Sequence, residues 1–189
     1  MSAQVVIVAA LLVVGCATSE SATESCGQPS YGGKATDEAW LALVDAEKNT
    51  TVGHAQAATI TEPALDASVS VAGGPLTLRW TSTLAWSPLP KPSLWARVRS
   101  LFIGDALAHL PPVTAALHEV ELRIPGRTCP VRHLTSDTRW TLSASEWAVL
   151  QGASGQTVDL VVTSAYQRDN RVTEGPYRAT TAHRLRLVP

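Results

Sequence analysis

The stretch Leu76-Thr77-Leu78-Arg79-Trp80-Thr81 decides the fold class of this chain. Its apolar residues alternate with polar ones, which is typical of a β-strand with one buried side and one side in water. The stretch follows Gly73-Gly74-Pro75, a turn signal that ends the preceding segment. We therefore expect a strand in a sheet that buries one of its two faces.

The same alternation recurs along the chain. Its apolar positions are Ile60, Val69, Val71, Val120, Leu122, Ile124, Trp140, Leu142, Val158, Leu160, Val162, Leu185 and Leu187. Short strands of this kind, separated by turn residues, predict an all-β sandwich over residues 57–189. Glu119 and Glu121 fall on the other side of their strand from Val120, and we expect that side to be solvated.

A short helix from Asp37 to Lys48 is predicted in the segment 36–56, which otherwise has the composition of a connector. Thr36 is a suitable N-cap, and the two acidic residues that follow it suit the positive start of a helix. Apolar residues recur at helical spacing, although the alternation from Trp40 to Val44 also fits a strand.

A segment rich in proline and tryptophan interrupts the β pattern. We predict a helical insertion at about residues 86–112, between the second and third strands of the sandwich, because its apolar residues recur at helical spacing. These residues are Leu94, Trp95, Val98, Leu101 and Phe102. Such a stripe either caps one end of the sandwich or contacts a partner protein or a membrane. Trp86 and Trp95 either hold the insertion against the sandwich or stack on a glycan.

Residues 1–15 have the pattern of a secretory signal. Their apolar run from Val5 to Val14 is about ten residues long, whereas a membrane-spanning helix needs roughly 20. No Lys or Arg precedes the run, so a buried first strand also fits it. The run leads into Val13-Val14-Gly15-Cys16, which resembles the lipobox of bacterial lipoproteins. This resemblance implies that Cys16 begins the mature chain and carries the lipid, and that the protein is anchored in the cell envelope.

The residue after the lipidated cysteine bears on the destination. Ala17 stands where lipoproteins retained at the inner membrane of Gram-negative bacteria carry aspartate, so the resemblance implies the outer membrane. Residues 16–35 are rich in Ser, Thr, Gly and Glu, which predicts a flexible tether. If Cys16 is acylated, Cys26 and Cys129 remain as an even pair in an oxidising compartment. A disulfide between them and two unpaired thiols both fit the sequence.

The composition and motifs argue against several functions. The formal net charge of −1 offers no field for nucleic acid. No GxSxG motif, no metal-ligand spacing and no paired acids in a recognisable pattern occur, so we expect a non-enzymatic protein without a cofactor or a metal. The histidines are expected at the surface or at caps because none is spaced as a pair: His54, His109, His118, His133 and His183.

The β-rich part resembles a fibronectin type III or immunoglobulin-like module. The residues that carry this likeness are Glu62-Pro63, the strand with Trp80 on its buried side, and Glu146-Trp147 with Leu150. The last group resembles a turn that packs under such a sandwich, ahead of a long strand from Thr157 to Tyr166. The resemblance implies a core role for Trp80, Trp140 and Trp147.

The predicted localisation and the predicted fold together give a functional expectation. We expect a non-catalytic lipoprotein of the cell envelope that acts as a protein-interaction or structural surface module. Its partners would be the membrane, reached through the N-terminal lipid, and an unidentified envelope protein or glycan. The alternative is a carbohydrate-binding module that uses Trp86 and Trp95.

Overall fold

The structure is a computed structural model that describes residues 26–84 and 112–189. The described strands are β1 Ser30–Gly32, β2 Thr51–Val52, β3 Thr59–Glu62, β4 Ala67–Ser70, β5 Thr77–Thr81, β6 Ala115–Arg123, β7 Val131–Thr135, β8 Arg139–Thr141, β9 Thr157–Arg168, β10 Arg171–Arg178 and β11 His183–Val188. The described helices are α1 Asp37–Ala46, which continues into a 3-10 turn at Glu47–Asn49, and α2 Ala144–Gln151. Most of this structure is β-sheet, as the alternating pattern predicts.

The strands form a large sheet and a small sheet. In the large sheet the strand order is β1-β7-β6-β9-β10-β2, and β11 pairs with both β9 and β4. The small sheet has the order β3-β5-β8 and is antiparallel throughout. The parallel pairs β1–β7, β2–β10 and β4–β11 all involve short strands at the margins of the large sheet.

The two sheets enclose one apolar core between them. Leu78 and Trp80 of the small sheet lie in the same buried cluster as Leu122 and Leu160 of the large sheet. These four side chains come from alternate positions of β5, β6 and β9, because successive residues of a strand point to opposite faces. The prediction of a shared interior between two stacked sheets is therefore confirmed.

Helix α2 packs against this core and contributes side chains to it. Ser143 and Glu146 form a capping box that starts the helix, which satisfies backbone N–H groups at its first turn. Trp147 and Leu150, three positions apart, are both buried in the core between the sheets. Trp80, Trp140 and Trp147 are each at most 5% exposed, so their predicted core role is confirmed.

Helix α1 covers the outer face of the large sheet, the face turned away from the small sheet. The Thr36 hydroxyl accepts a 3.3 Å hydrogen bond from the Ala39 N–H, as expected of an N-cap. Trp40 and Leu43 are buried in a second apolar cluster with Leu117 of β6. The helical interpretation is confirmed, and the regular helix ends at Ala46, before the predicted Lys48, where the backbone tightens into the 3-10 turn.

The ordered domain begins earlier than the predicted tether and connector allow. Ser30–Gly32, within the expected tether 16–35, forms β1 and pairs with β7. Thr51–Val52, within the expected connector 36–56, forms β2 and pairs with β10. Both strands are held by backbone hydrogen bonds at the sheet margin, and so neither needs the apolar alternation that marks a strand in sequence.

Several predictions fall on residues outside the described ranges. These are the signal segment 1–15, Cys16, residues 16–25 of the tether and nearly all of the segment 86–112, predicted as a helical insertion, which follows β5 and precedes β6 in the chain. Within the described residues, no helix combines the length and the apolar character needed to cross a bilayer.

Candidate functional site

The outer face of β6 carries buried charge where the sequence suggested solvated carboxylates. Glu119 is 1% exposed and Glu121 is 9% exposed. Their burial corrects the expectation that this side of the strand is wet. The reason is the N-terminal segment: α1 and the residues around Gly27 lie over the outer face of the sheet, which alternation within β6 alone cannot reveal.

Arginines accompany the buried carboxylates. We refer to this group as the charged layer, which consists of Glu47, Glu119, Glu121, Arg123, Arg132 and Arg178. Arg178 spans part of it, because its Nη2 lies 3.3 Å from Oε1 of Glu47 and its Nε donates a 2.8 Å hydrogen bond to Thr163. Arg123 donates from Nε to Oε2 of Glu121 over 3.0 Å. The charged layer thus joins the 3-10 turn after α1 to β6 and β10.

Burial and repulsion both act on Glu119. Burial raises the pKa of its carboxyl to about 7, and the neighbouring carboxylates of Glu121 and Glu47 push it in the same direction. Arg132 and Arg178 oppose this rise. Burial also raises the pKa of Glu47. Glu119 therefore changes its charge near neutral pH, inside the domain and beside Arg132 and Arg178.

A cavity of about 270 Å³ opens at one end of the charged layer, and we call it the arginine cavity. Its lining includes Cys26, Glu121, Arg123, Arg127, Thr128 and Arg132. Arg127 lies in the tight β6–β7 turn, where its N–H donates to the Ile124 carbonyl and Gly126 takes a φ of +77°. Register places Arg132 of β7 opposite Glu121 of β6, and Arg123 follows Glu121 by two positions, on the same face of β6.

A disulfide fixes the N-terminal segment at this cavity. Cys26 and Cys129 are bonded, with their Cα atoms 5.3 Å apart, so the disulfide alternative of the sequence analysis is confirmed. Beside it, Arg132 donates to the Gly27 carbonyl, and its guanidinium lies 5.7 Å from the centre of the Trp40 ring. The first described residues are thereby held to the large sheet by one covalent bond and by polar contacts.

Two histidines lie in the interior, which corrects the expectation that they stand at the surface or at caps. His118 is 1% exposed, and its Nδ1 lies 2.7 Å from the Ser164 hydroxyl. His133 is 8% exposed and stacks on Trp140 with ring centres 4.8 Å apart. Burial lowers the pKa of His118 to about 4 and also lowers the pKa of His133. Both sit on the inner side of their strands, where neutral imidazoles pack among apolar neighbours.

The two serine–histidine contacts connect secondary-structure elements, and their arrangement differs from that of a nucleophilic triad. Ser164 is 0% exposed, so its hydroxyl has no access to a substrate. Ser30 lies 2.8 Å from Nδ1 of His133 and donates a 2.7 Å hydrogen bond to Glu146. In a nucleophilic triad the acid orients the imidazole, whereas here it contacts the hydroxyl. Although burial opposes it, the hydrogen bonds from Ser30 and Ser143 lower the pKa of Glu146, so this contact joins β1 to α2.

A groove, which we call the β3 groove, runs along the β3 edge of the small sheet. It has a volume of about 550 Å³ and is lined by Ile60 and Leu65 on one side and by the β10–β11 connection on the other. Strand β3 is at the end of the sheet and pairs only with β5 among the described strands. Leu65, just beyond β3, is 59% exposed. The groove therefore combines an unpaired strand edge with apolar side chains.

Most residues that the sequence singled out for binding lie outside the described ranges. They are Cys16, Trp86, Leu94, Trp95, Val98, Leu101 and Phe102. Conversely, no motif in the sequence marks Arg123 and Arg127 as site residues. Their spacing across Pro125-Gly126, a turn signal, is the one local feature that could have placed them side by side. In the described part of the chain, no group of His, Cys, Asp and Glu side chains is arranged to hold a metal ion.

Comparison of the chain with protein-family models, with curated proteins and with solved structures finds no match.

Proposed function

We propose that the chain is a non-catalytic lipoprotein of the cell envelope, anchored in the outer membrane through lipid on Cys16. The observation that carries the proposal is the Cys26–Cys129 disulfide. Disulfides persist in the oxidising compartments outside the cytoplasm, where an exported lipoprotein resides. Together with the short apolar run and the cysteine at its end, the disulfide supports an exported chain.

The strand pairing supports an immunoglobulin or fibronectin type III-like assignment. The small sheet β3-β5-β8 faces a large sheet in which β7, β6, β9 and β11 are neighbours, and this is the arrangement of two packed antiparallel sheets. The chain crosses from one sheet to the other between β3 and β4, since β4 pairs with β11 of the large sheet. Such sandwiches host many unrelated functions, so the assignment supports a scaffold and leaves the contact surface to be argued separately.

The β3 groove is the surface that we propose for a protein partner. An edge strand offers unpaired backbone N–H and C=O groups, to which an extended segment of another protein can add as a further strand. Ile60 and Leu65 supply apolar contacts beside that edge. The module would thus present β3 to another envelope protein while the lipid holds it at the membrane.

Metabolic labelling with radioactive palmitate tests the anchor. In a Gram-negative host, the wild-type chain should incorporate label and Cys16→Ser should not. Equal labelling of the two chains, or no labelling of either, would contradict the anchor.

Crosslinking from intact envelopes, followed by capture of the chain, tests the β3 groove. Leu65→Ser should lose a partner that the wild type captures. Leu41→Ser is the matched control, since Leu41 on α1 is 58% exposed, almost as exposed as Leu65. If the two variants capture the same partners as the wild type, the groove is not the contact surface.

A further inference from the structure

The arginine cavity has an excess of positive charge that is not balanced by ion pairs among its lining residues. Three arginines and one glutamate line it. Glu121 is paired with Arg123, and the described part of the chain contains no ion pair of the exposed Arg127. Arg132 is committed to the Gly27 carbonyl and forms the inner wall of the cavity. A ligand entering the cavity would therefore contact the guanidinium groups of Arg123 and Arg127 first.

Arg123 has hydrogen-bond donors that are free to bind a ligand. It contacts a single oxygen of Glu121, Oε2, through Nε and one Nη atom. A guanidinium has five N–H donors in a fixed plane, so donors on the remaining Nη are left over. Its side chain is 48% exposed, whereas that of Glu121 is 12% exposed. The cation is thus presented to solvent while its carboxylate partner lies behind it.

The size of the cavity limits the class of ligand. Its volume of about 270 Å³ is below the roughly 300–1,000 Å³ of pockets that hold drug-sized molecules. The space suits one small polyatomic anion and its water better than a sugar chain or a nucleotide. Among such anions, phosphate matches the planar donor pattern of arginine, which binds its oxygens in pairs.

We propose that the arginine cavity binds a phosphate-class oxyanion through the guanidinium groups of Arg123 and Arg127. Two sources can supply this group, the headgroup of an anionic lipid and free phosphate. If the proposed anchoring at Cys16 holds, lipid headgroups lie close to the cavity, and we therefore favour the lipid as the source. Cys26 in the cavity wall follows Cys16 by ten residues, which span at most about 35 Å when fully extended. The disulfide keeps the cavity at the point where the tether joins the domain.

Hydrogen exchange of the β6–β7 turn, residues 124–130, tests the proposal on the full chain. In one arm the chain is held in neutral detergent micelles, and sodium phosphate is compared with sodium chloride at matched ionic strength. In the other arm the chain is reconstituted in phosphatidylcholine vesicles with and without phosphatidylglycerol. A bound anion slows exchange by a factor of 1 + [L]/Kd, which is about tenfold at a ligand concentration of ten times Kd.

Arg127→Gln is the test variant and Arg168→Gln is its matched control. Both arginines are exposed, but Arg168 lies at the β9–β10 tip, at the opposite end of the large sheet from the β6–β7 turn. We expect the wild type and Arg168→Gln to be protected and Arg127→Gln to lose most of the protection. Protection by phosphatidylglycerol alone assigns the lipid headgroup as the source, and protection by sodium phosphate assigns the free ion as well.

The proposal is overturned if neither anion slows exchange in the wild type, or if Arg127→Gln responds as the wild type does. Failure of the anchor is read separately, by flotation of the chain with the vesicles. A chain that does not float contradicts the proposed lipidation, whereas the phosphate arm in micelles still decides whether the cavity binds an anion.

Discussion

Cys26 and Cys129 are 103 positions apart in sequence, and the disulfide between them brings their Cα atoms to within 5.3 Å. One partner belongs to the N-terminal segment and the other to the β6–β7 connection. The bond therefore joins the beginning of the described chain to the large sheet, at the arginine cavity. If the lipid is on Cys16, the disulfide joins the chain to the domain ten residues further on, at Cys26, and the domain has a defined end toward the membrane.

Removal of this disulfide should lower the free energy of unfolding. The crosslink closes a loop of about 100 residues, for which chain entropy predicts up to about 4–5 kcal/mol. We expect urea denaturation of Cys26→Ala/Cys129→Ala to show a loss of that order. A reducing agent should destabilise the wild type by a similar amount and leave the double variant unchanged. A loss below about 1 kcal/mol would show that the segment is held by its noncovalent contacts instead.

Glu119 should make stability depend on pH. Its pKa is raised from 4.5 to about 7 in the folded state, so the folded chain holds this proton more tightly than the unfolded chain does. The resulting stability is complete below pH 4.5 and is lost as the pH rises through about 7. Glu119→Gln should therefore match the wild type at acidic pH and exceed it at pH above 7, by on the order of 3 kcal/mol.

Urea denaturation across this pH range measures the effect. Taking the difference between Glu119→Gln and the wild type removes the contribution of His118, whose pKa is lowered to about 4 and which acts in the opposite sense. Glu174→Gln serves as the control, since Glu174 is half-buried on β10 and has no ion pair with another described residue. A pH-independent difference for Glu119→Gln would show that folding does not shift the pKa of Glu119.

The inner core should be sensitive to the loss of a single side chain. Leu122 is fully buried between the sheets, and Leu122→Ala should cost about 2–5 kcal/mol because it leaves a cavity. Leu65→Ala, at a position that is 59% exposed, should change stability by less than about 0.5 kcal/mol. Chemical denaturation of both variants makes the comparison. Equal costs would mean that the two sheets do not share a packed interior.

Helix α1 should be loosened by a change in β9. The Gln167 side chain is fully buried, and its Nε2 donates a 2.7 Å hydrogen bond to the Ala39 carbonyl. Gln167→Met keeps the volume but removes this hydrogen bond between β9 and α1, at a cost of about 0.5–1.5 kcal/mol, because the Ala39 carbonyl keeps its hydrogen bond within the helix.

Amide hydrogen exchange checks this prediction. In Gln167→Met the amides of α1 should exchange faster than in the wild type, while those of β5 in the small sheet stay protected. Gln156→Met, at an exposed position, is the control. Unchanged exchange in α1 would show that its apolar contacts alone fix it to the sheet.

The inner face of the sandwich could be predicted from the sequence because alternation reports which side chains of a strand point the same way. Leu78, Trp80 and Leu122 follow this rule, and α1 begins directly after its N-cap Thr36 because capping is a local interaction. Burial of the opposite face depends on what covers it. Glu119 and Glu121 are buried by an N-terminal segment whose position no pattern within β6 encodes.

The candidate sites depend on contacts between distant segments, which explains why the sequence did not reveal them. The arginine cavity requires the register that sets Glu121 beside Arg132, together with a disulfide that the cysteine count left as one of two alternatives. His118 and His133 follow the same logic, since a single histidine on a strand carries no local mark of burial. Strands β1 and β2 are short parallel additions whose partners lie far along the chain.

Intact-mass analysis of the chain purified from membranes of a Gram-negative host tests the central claim most directly. The account predicts a mature chain that begins at Cys16, carries the mass of the lipoprotein acyl groups, and gains two hydrogens when the Cys26–Cys129 disulfide is reduced. A chain that begins at Met1, or an unmodified Cys16, would contradict the anchored, exported protein proposed above.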